Sequence, residues 1–168
     1  MIILLPYQRL VFESQFSKEE IIRRLIAEVA SRRISFGIFE NRREKFEGEV
    51  SENGFKISRI IRYRNSFRPV IEGEFSPLVK GVRIDVRLRL HTMVMIFSLL
   101  WLGFGLVAAG AVIFQIISTG GFASGMFIPF GMLLFYFLLM TLAFGVEANK
   151  AGKLLSEIFA ADAASEIK

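Results

Sequence analysis

From residue 82 to 91 the chain alternates without a fault. Val82, Ile84, Val86, Leu88 and Leu90 are apolar; Arg83, Asp85, Arg87, Arg89 and His91 are polar. Successive side chains of a strand point to opposite faces, so this segment predicts a half-buried β-strand. Residues 9–15 are rich in β-formers and follow Pro6, which predicts another strand. Residues 45–50 set Phe46, Gly48 and Val50 against Lys45, Glu47 and Glu49. Residues 55–63 place Phe55, Ile57, Ile61 and Tyr63 on one face, although Arg59 interrupts that face and Ile60 the other. Residues 68–75 predict a short strand in which Pro69 points to an edge or a bulge. Asn53-Gly54 signals a hairpin because both residues tolerate positive φ, and residues 76–81 turn the chain. Residues 34–40 are a candidate additional strand.

One segment in this region has a different period. Ile21, Ile22, Leu25, Ile26 and Val29 recur at helical spacing, with Lys18, Glu19, Arg23, Arg24 and Glu28 on the other side. Ser17 and Glu20 in front match a capping box, in which hydroxyl and carboxylate each satisfy an orphan amide. The order is therefore strand, helix, then a meander of about four strands. Helix and sheet each have one apolar face, and packing them together buries both, which predicts an α+β domain over residues 1–91.

Beyond His91 the alternation stops. From Thr92 to Val146 there is no Asp, Glu, Lys, Arg or His. Residues 92–117 and 126–146 predict two transmembrane helices of about 39 Å and about 31 Å, against a hydrocarbon core near 30 Å. Residues 118–125 join them as a short uncharged turn. Residues 147–168 predict an amphipathic tail helix, with Leu154, Leu155, Ile158 and Phe159 apolar, lying along the interface or docked on the α+β domain. All but three of the 21 Lys and Arg precede Thr92, and Lys150 and Lys153 follow the second span. This asymmetry predicts both termini in the cytoplasm. The residues before Pro6 are too few, and lack the basic start, for a signal peptide.

Composition narrows the chemistry. The chain has no cysteine, which excludes disulfides and Cys-ligated metal centres. With one histidine and no Gly-rich phosphate loop, no catalytic set, metal site or cofactor site is recognised in the sequence. No ionisable residue lies within the spans, which argues against an ion-coupled transporter. Two groups of residues remain as candidates. Arg62, Arg64, Arg68, Arg83, Arg87 and Arg89 lie close to the first span in sequence and could meet anionic lipid or an acidic partner. The plainer alternative is a solvated face with cross-strand pairs to Glu47, Glu49, Glu72 and Glu74. Nucleic acid is disfavoured, because no aromatics interleave this face as stacking platforms. Gly103, Gly105, Ala109 and Gly110 in the first span allow close helix packing, either with the second span or with another copy or membrane protein.

Tyr63-Arg64-Asn65-Ser66-Phe67-Arg68-Pro69, then Gly73 and Gly81, an Arg-alternating strand and two spans, resemble small bacterial membrane proteins of this layout, whose activity is uncharacterised. The resemblance implies a bacterial inner-membrane location and brings no activity. Physically, Asn65-Ser66 predicts a turn with Asx-type hydrogen bonds, and Phe67 an anchor. The sequence thus reads as a bilayer-anchored, non-catalytic interaction or regulatory module. The alternatives are a sensor binding a small ligand or anionic headgroup in a helix–sheet cleft, and a membrane enzyme with an unrecognised site.

Overall fold

The computed structural model describes residues 6–31, 44–61, 65–121, 124–160 and 165–166. The chain runs β1 (Tyr7–Ser14), α1 (Lys18–Glu28), β2 (Val29–Ser31), β3 (Phe46–Val50), β4 (Gly54–Arg59), β5 (Pro69–Pro77), β6 (Val82–Leu90), α2 (Thr92–Thr119), a 3₁₀ turn (Ser124–Phe127), α3 (Ile128–Phe159) and β7 (Ser165–Glu166). The architecture is the α+β domain with a C-terminal helical hairpin expected from the sequence. One sheet holds the strands in the order β2-β3-β4-β5-β6-β1-β7. The meander β3 to β6 is antiparallel throughout, and β1 closes on β6 with Tyr7 opposite Arg89 and Ser14 opposite Val82. Only β2 runs parallel to its neighbour, β3. The candidate strand at 34–40 lies outside the described residues.

Local signals explain most of these elements. Ser17 caps α1, its hydroxyl accepting the Glu20 N–H at 3.3 Å. The reciprocal half of the capping box is not made, because the Glu20 carboxylate instead meets Arg23 at 2.7 Å and Arg24 at 3.0 Å, one helical turn on. The β3–β4 hairpin forms at Asn53-Gly54, but neither residue has positive φ. Gly54 is required for another reason: a Cβ there would overlap the Gly73 carbonyl oxygen of β5.

The apolar sheet face carries Phe12, Phe46, Ile57, Ile71, Ile84 and Leu88, all essentially inaccessible. Ile21 and Leu25 of α1 cover one part of it. The rest is covered by the last stretch of α3, through Phe144, Ala148, Ala151, Leu155, Ile158 and Phe159. The Phe159 ring meets Phe12 edge-on at 5.3 Å, and its carbonyl accepts the Ser14 hydroxyl at 2.8 Å. Residues 147–159 are therefore not a separate tail helix. They continue α3 without a break and dock on the sheet, because their apolar stripe completes the core that α1 alone leaves open.

The remaining helical surface has no such cover. Both helices are long and apolar enough to cross a membrane, yet only 17% of the most apolar window of each is buried. Phe104, Val107, Phe114, Ile117, Phe135 and Leu142 are all exposed. The core helix of a soluble protein hides such side chains; these helices are compatible with a membrane hairpin.

Candidate functional site

The registers place Leu90, Pro69, Arg59, Phe46 and Tyr7 at one end of the sheet, where α2 leaves it. No loop intervenes. His91 separates β6 from α2 and caps the helix, its Nδ1 accepting the Met93 N–H at 3.3 Å. At the same end α3 passes the sheet; two sets of contacts tie it to the sheet and a third ties it to α2.

The first is ionic. Arg59, the residue that interrupts the apolar face of β4, turns its guanidinium onto Glu147 of α3. Arg59 Nη1 lies 2.6 Å from Glu147 Oε2, and Lys150 Nζ lies 3.6 Å from Oε1. The Glu147 side chain is fully buried. Arg68 continues the network, donating to the Arg59 carbonyl at 2.9 Å and to Glu47 at 2.8 Å. A buried pair held this way is costly to break, because removing one partner strands the other charge in a poor solvent. In the sequence Arg59 shows only as a break in the apolar face of its strand, and Glu147 only as the first charge after the spans. The usable signal was Glu147 following a long charge-free run at helical spacing from Phe144 and Ala151.

The second is the turn after β4. The Asn65 side-chain oxygen accepts the Phe67 N–H at 2.9 Å, the Asx turn expected there. Asn65 Nδ2 reaches the Ala143 carbonyl of α3 at 3.5 Å, and the Phe67 ring packs edge-on against Tyr136 at 6.2 Å. The third joins the helices. Tyr136 donates to the Ser98 hydroxyl at 2.8 Å, Ser98 donates to the Val94 carbonyl at 2.7 Å, and Trp101 packs on Tyr136 at 5.8 Å. Gly105 lies against Leu133, where a Cβ would overlap the leucine side chain, and Ala109 is buried. Gly103 and Gly110 face open space.

The arginines of the polar sheet face are paired. Arg89 meets Glu72 at 2.6 Å, Lys56 meets the same oxygen at 3.0 Å, and Arg87 meets Glu74 at 3.5 Å. Arg9 holds Asp85 at 2.7 Å, with Arg83 at 3.9 Å on the other oxygen. The Arg9 hydrogen bond keeps the Asp85 carboxyl below its ordinary range. Burial pushes Glu72 up, but the hydrogen bonds from Lys56 and Arg89 outweigh it and hold the carboxyl low. Asp85 and Glu72 are thus two carboxylates of this face held in their ionised form. Their stabilisation is complete above the ordinary carboxylate range and is lost as pH falls through the lowered values. Exposed pairs of this kind contribute little individually. Arg83 stands six residues from Arg89, about 20 Å along the strand, so the two cannot share one small ligand. Arg62 and Arg64 lie outside the described residues. Among those described, no three His, Asp or Glu side chains are grouped to hold a metal. Compared with protein-family models, curated proteins and solved structures, the chain matches no family, no curated relative and no solved structure.

Proposed function

We propose that the chain is a two-span protein of the bacterial inner membrane, and that its cytoplasmic α+β domain is a non-catalytic interaction or regulatory module moving as one body with the spans. One observation carries this reading. Helix α3, with 32 residues and therefore about 48 Å long, is an apolar exposed rod in its first part and the central core helix of the sheet in its last. A flexibly tethered recruitment domain has no use for that arrangement, whereas a domain that passes movement between bilayer and cytoplasm requires it. The filled helix–sheet core favours the module over a sensor with its ligand in a helix–sheet cleft. Of the candidate arginines, Arg68 and Arg89 stand nearest the hairpin end of the sheet, which supports them as the ones to meet anionic lipid. Gly103 and Gly110 are the small residues left open for a second copy or another membrane protein.

The absence of cysteine makes the topology simple to test. Val79, fully exposed on the β5–β6 turn, and Gly121, exposed between the helices, are replaced singly by cysteine. In spheroplasts an impermeant maleimide is expected to label G121C at once and V79C only after permeabilisation. The reverse pattern contradicts the orientation, and labelling of both in intact spheroplasts contradicts the membrane reading.

A further inference from the structure

The polar face of the sheet is not uniformly filled. In the row of directly paired residues Glu47, Ser58, Val70 and Arg89, two short side chains stand between two long ones. They form the floor of an open trough of about 380 Å³, within the range of small-ligand sites. Its walls carry both signs of charge: Glu47 and Glu49 on β3, Lys56 on β4, and Arg68 and His91 at the hairpin end.

The charges are not all consumed. Glu49 makes no ion pair among the described residues. Lys56 is 64% exposed with only Glu72 at 3.0 Å, which leaves two of its three donors to spare. Arg68 and Glu47 already meet at 2.8 Å, and Arg68 also donates to the Arg59 carbonyl, but the guanidinium has five N–H groups and the carboxylate a second oxygen; the trough thus offers donors from Lys56 and Arg68 beside acceptors on Glu47 and Glu49. A purely anionic group would meet two carboxylates. A quaternary ammonium has no N–H to give them. A primary ammonium joined to a phosphate satisfies both sets.

We propose that this trough binds a phosphoethanolamine group, its phosphate on Lys56 and Arg68 and its ammonium on Glu49 and Glu47, with His91 at the hairpin-side rim. The site goes beyond the module reading and rests on it only for access. With α2 entering the bilayer at Thr92, the trough opens at the level of the headgroups, where the group is supplied by a lipid; a soluble phosphoethanolamine compound would present the same chemistry. A ligand here would act through Arg68 on the network that holds α3.

The test uses the full chain purified in mild detergent with an equimolar mixture of phosphatidylethanolamine, phosphatidylcholine and phosphatidylglycerol, read by native mass spectrometry. A parallel calorimetric titration with free phosphoethanolamine separates the sources. The expected result is selective retention of the ethanolamine lipid, lowered roughly tenfold by Glu49→Gln or Lys56→Gln, about the loss of one charge-assisted hydrogen bond. Arg87→Gln, on the same face outside the trough, is expected to change nothing. Binding of the free compound without lipid retention, with the same dependence on Glu49 and Lys56, supports the chemistry and assigns a soluble source. Equal retention of the three lipids with no heat from the free compound overturns the proposal, as does wild-type binding by both trough variants. Because V79C and G121C labelling reports orientation separately, loss of this site and loss of the membrane orientation that gives access to it are told apart.

Discussion

A fragment ending at His91, although it carries six of the seven described strands and all of α1, is expected not to fold. Its sheet would lose Phe144, Ala148, Ala151, Leu155, Ile158 and Phe159, which cover the apolar face beyond α1. Burying one large apolar side chain is worth about 1.5–3 kcal/mol. The four large ones together therefore contribute about 6–12 kcal/mol, comparable to the ~5–15 kcal/mol total stability of a typical domain. The exposed face of Phe12, Phe55, Ile57 and Ile84 would also favour aggregation. Residues 1–91 alone should show poor amide dispersion in NMR and no cooperative urea transition. Joining residues 141–160 to the fragment through a flexible linker should restore both. A cooperative, dispersed 1–91 fragment would mean that α3 is accessory to the domain.

The second large effect is expected at Glu147. Replacement by alanine leaves the Arg59 guanidinium, whose side chain is 22% exposed, against an apolar helix with no counter-charge. Breaking a buried pair from one side typically costs about 3–5 kcal/mol. Lys150 is half-exposed and can turn to water, so it neither adds to that cost nor relieves it. Glu147→Ala should therefore lower the thermal midpoint of the full chain in detergent markedly. The double variant Arg59→Met, Glu147→Met should recover most of the loss, since well-packed apolar replacements of buried pairs are often neutral. If the single variant matches wild type, the pair does not fasten α3 to the sheet. If the double variant is as unstable as the single one, packing around the helix rather than the stranded charge sets the cost.

The elements that could be read in the sequence are those whose period is set by one strong environment. The alternation of residues 82–91 appears intact in β6, because one face meets the core and the other meets water and cross-strand carboxylates. Glu72 and Glu74 pair diagonally across β5 and β6 with Arg89 and Arg87, and Glu47 pairs with Arg68, whereas Glu49 has no ion pair among the described residues. The Asx turn at Asn65 and the cap at Ser17 were legible because both are made within three residues. The double role of α3 was not. Hydropathy cannot separate an apolar side chain left exposed on a helix from one that packs on a sheet, so Phe144 and Phe159 look like Phe135. Nor could Arg59 be understood from its surroundings, since its partner is 88 residues away. Strand β2 has three residues, too few to display a period.

The most direct measurement of the central claim, that sheet and spans form one body through α3, is a distance distribution across their junction. Spin labels at Val79→Cys, at the far end of the sheet, and Gly103→Cys, open on the outer side of α2, would be read by pulsed electron resonance with the protein in lipid nanodiscs. The shared helix, the loop-free passage at His91 and the Arg59–Glu147 pair predict a single narrow distance. A broad or multimodal distribution would show the sheet swinging on a tether and would contradict the account.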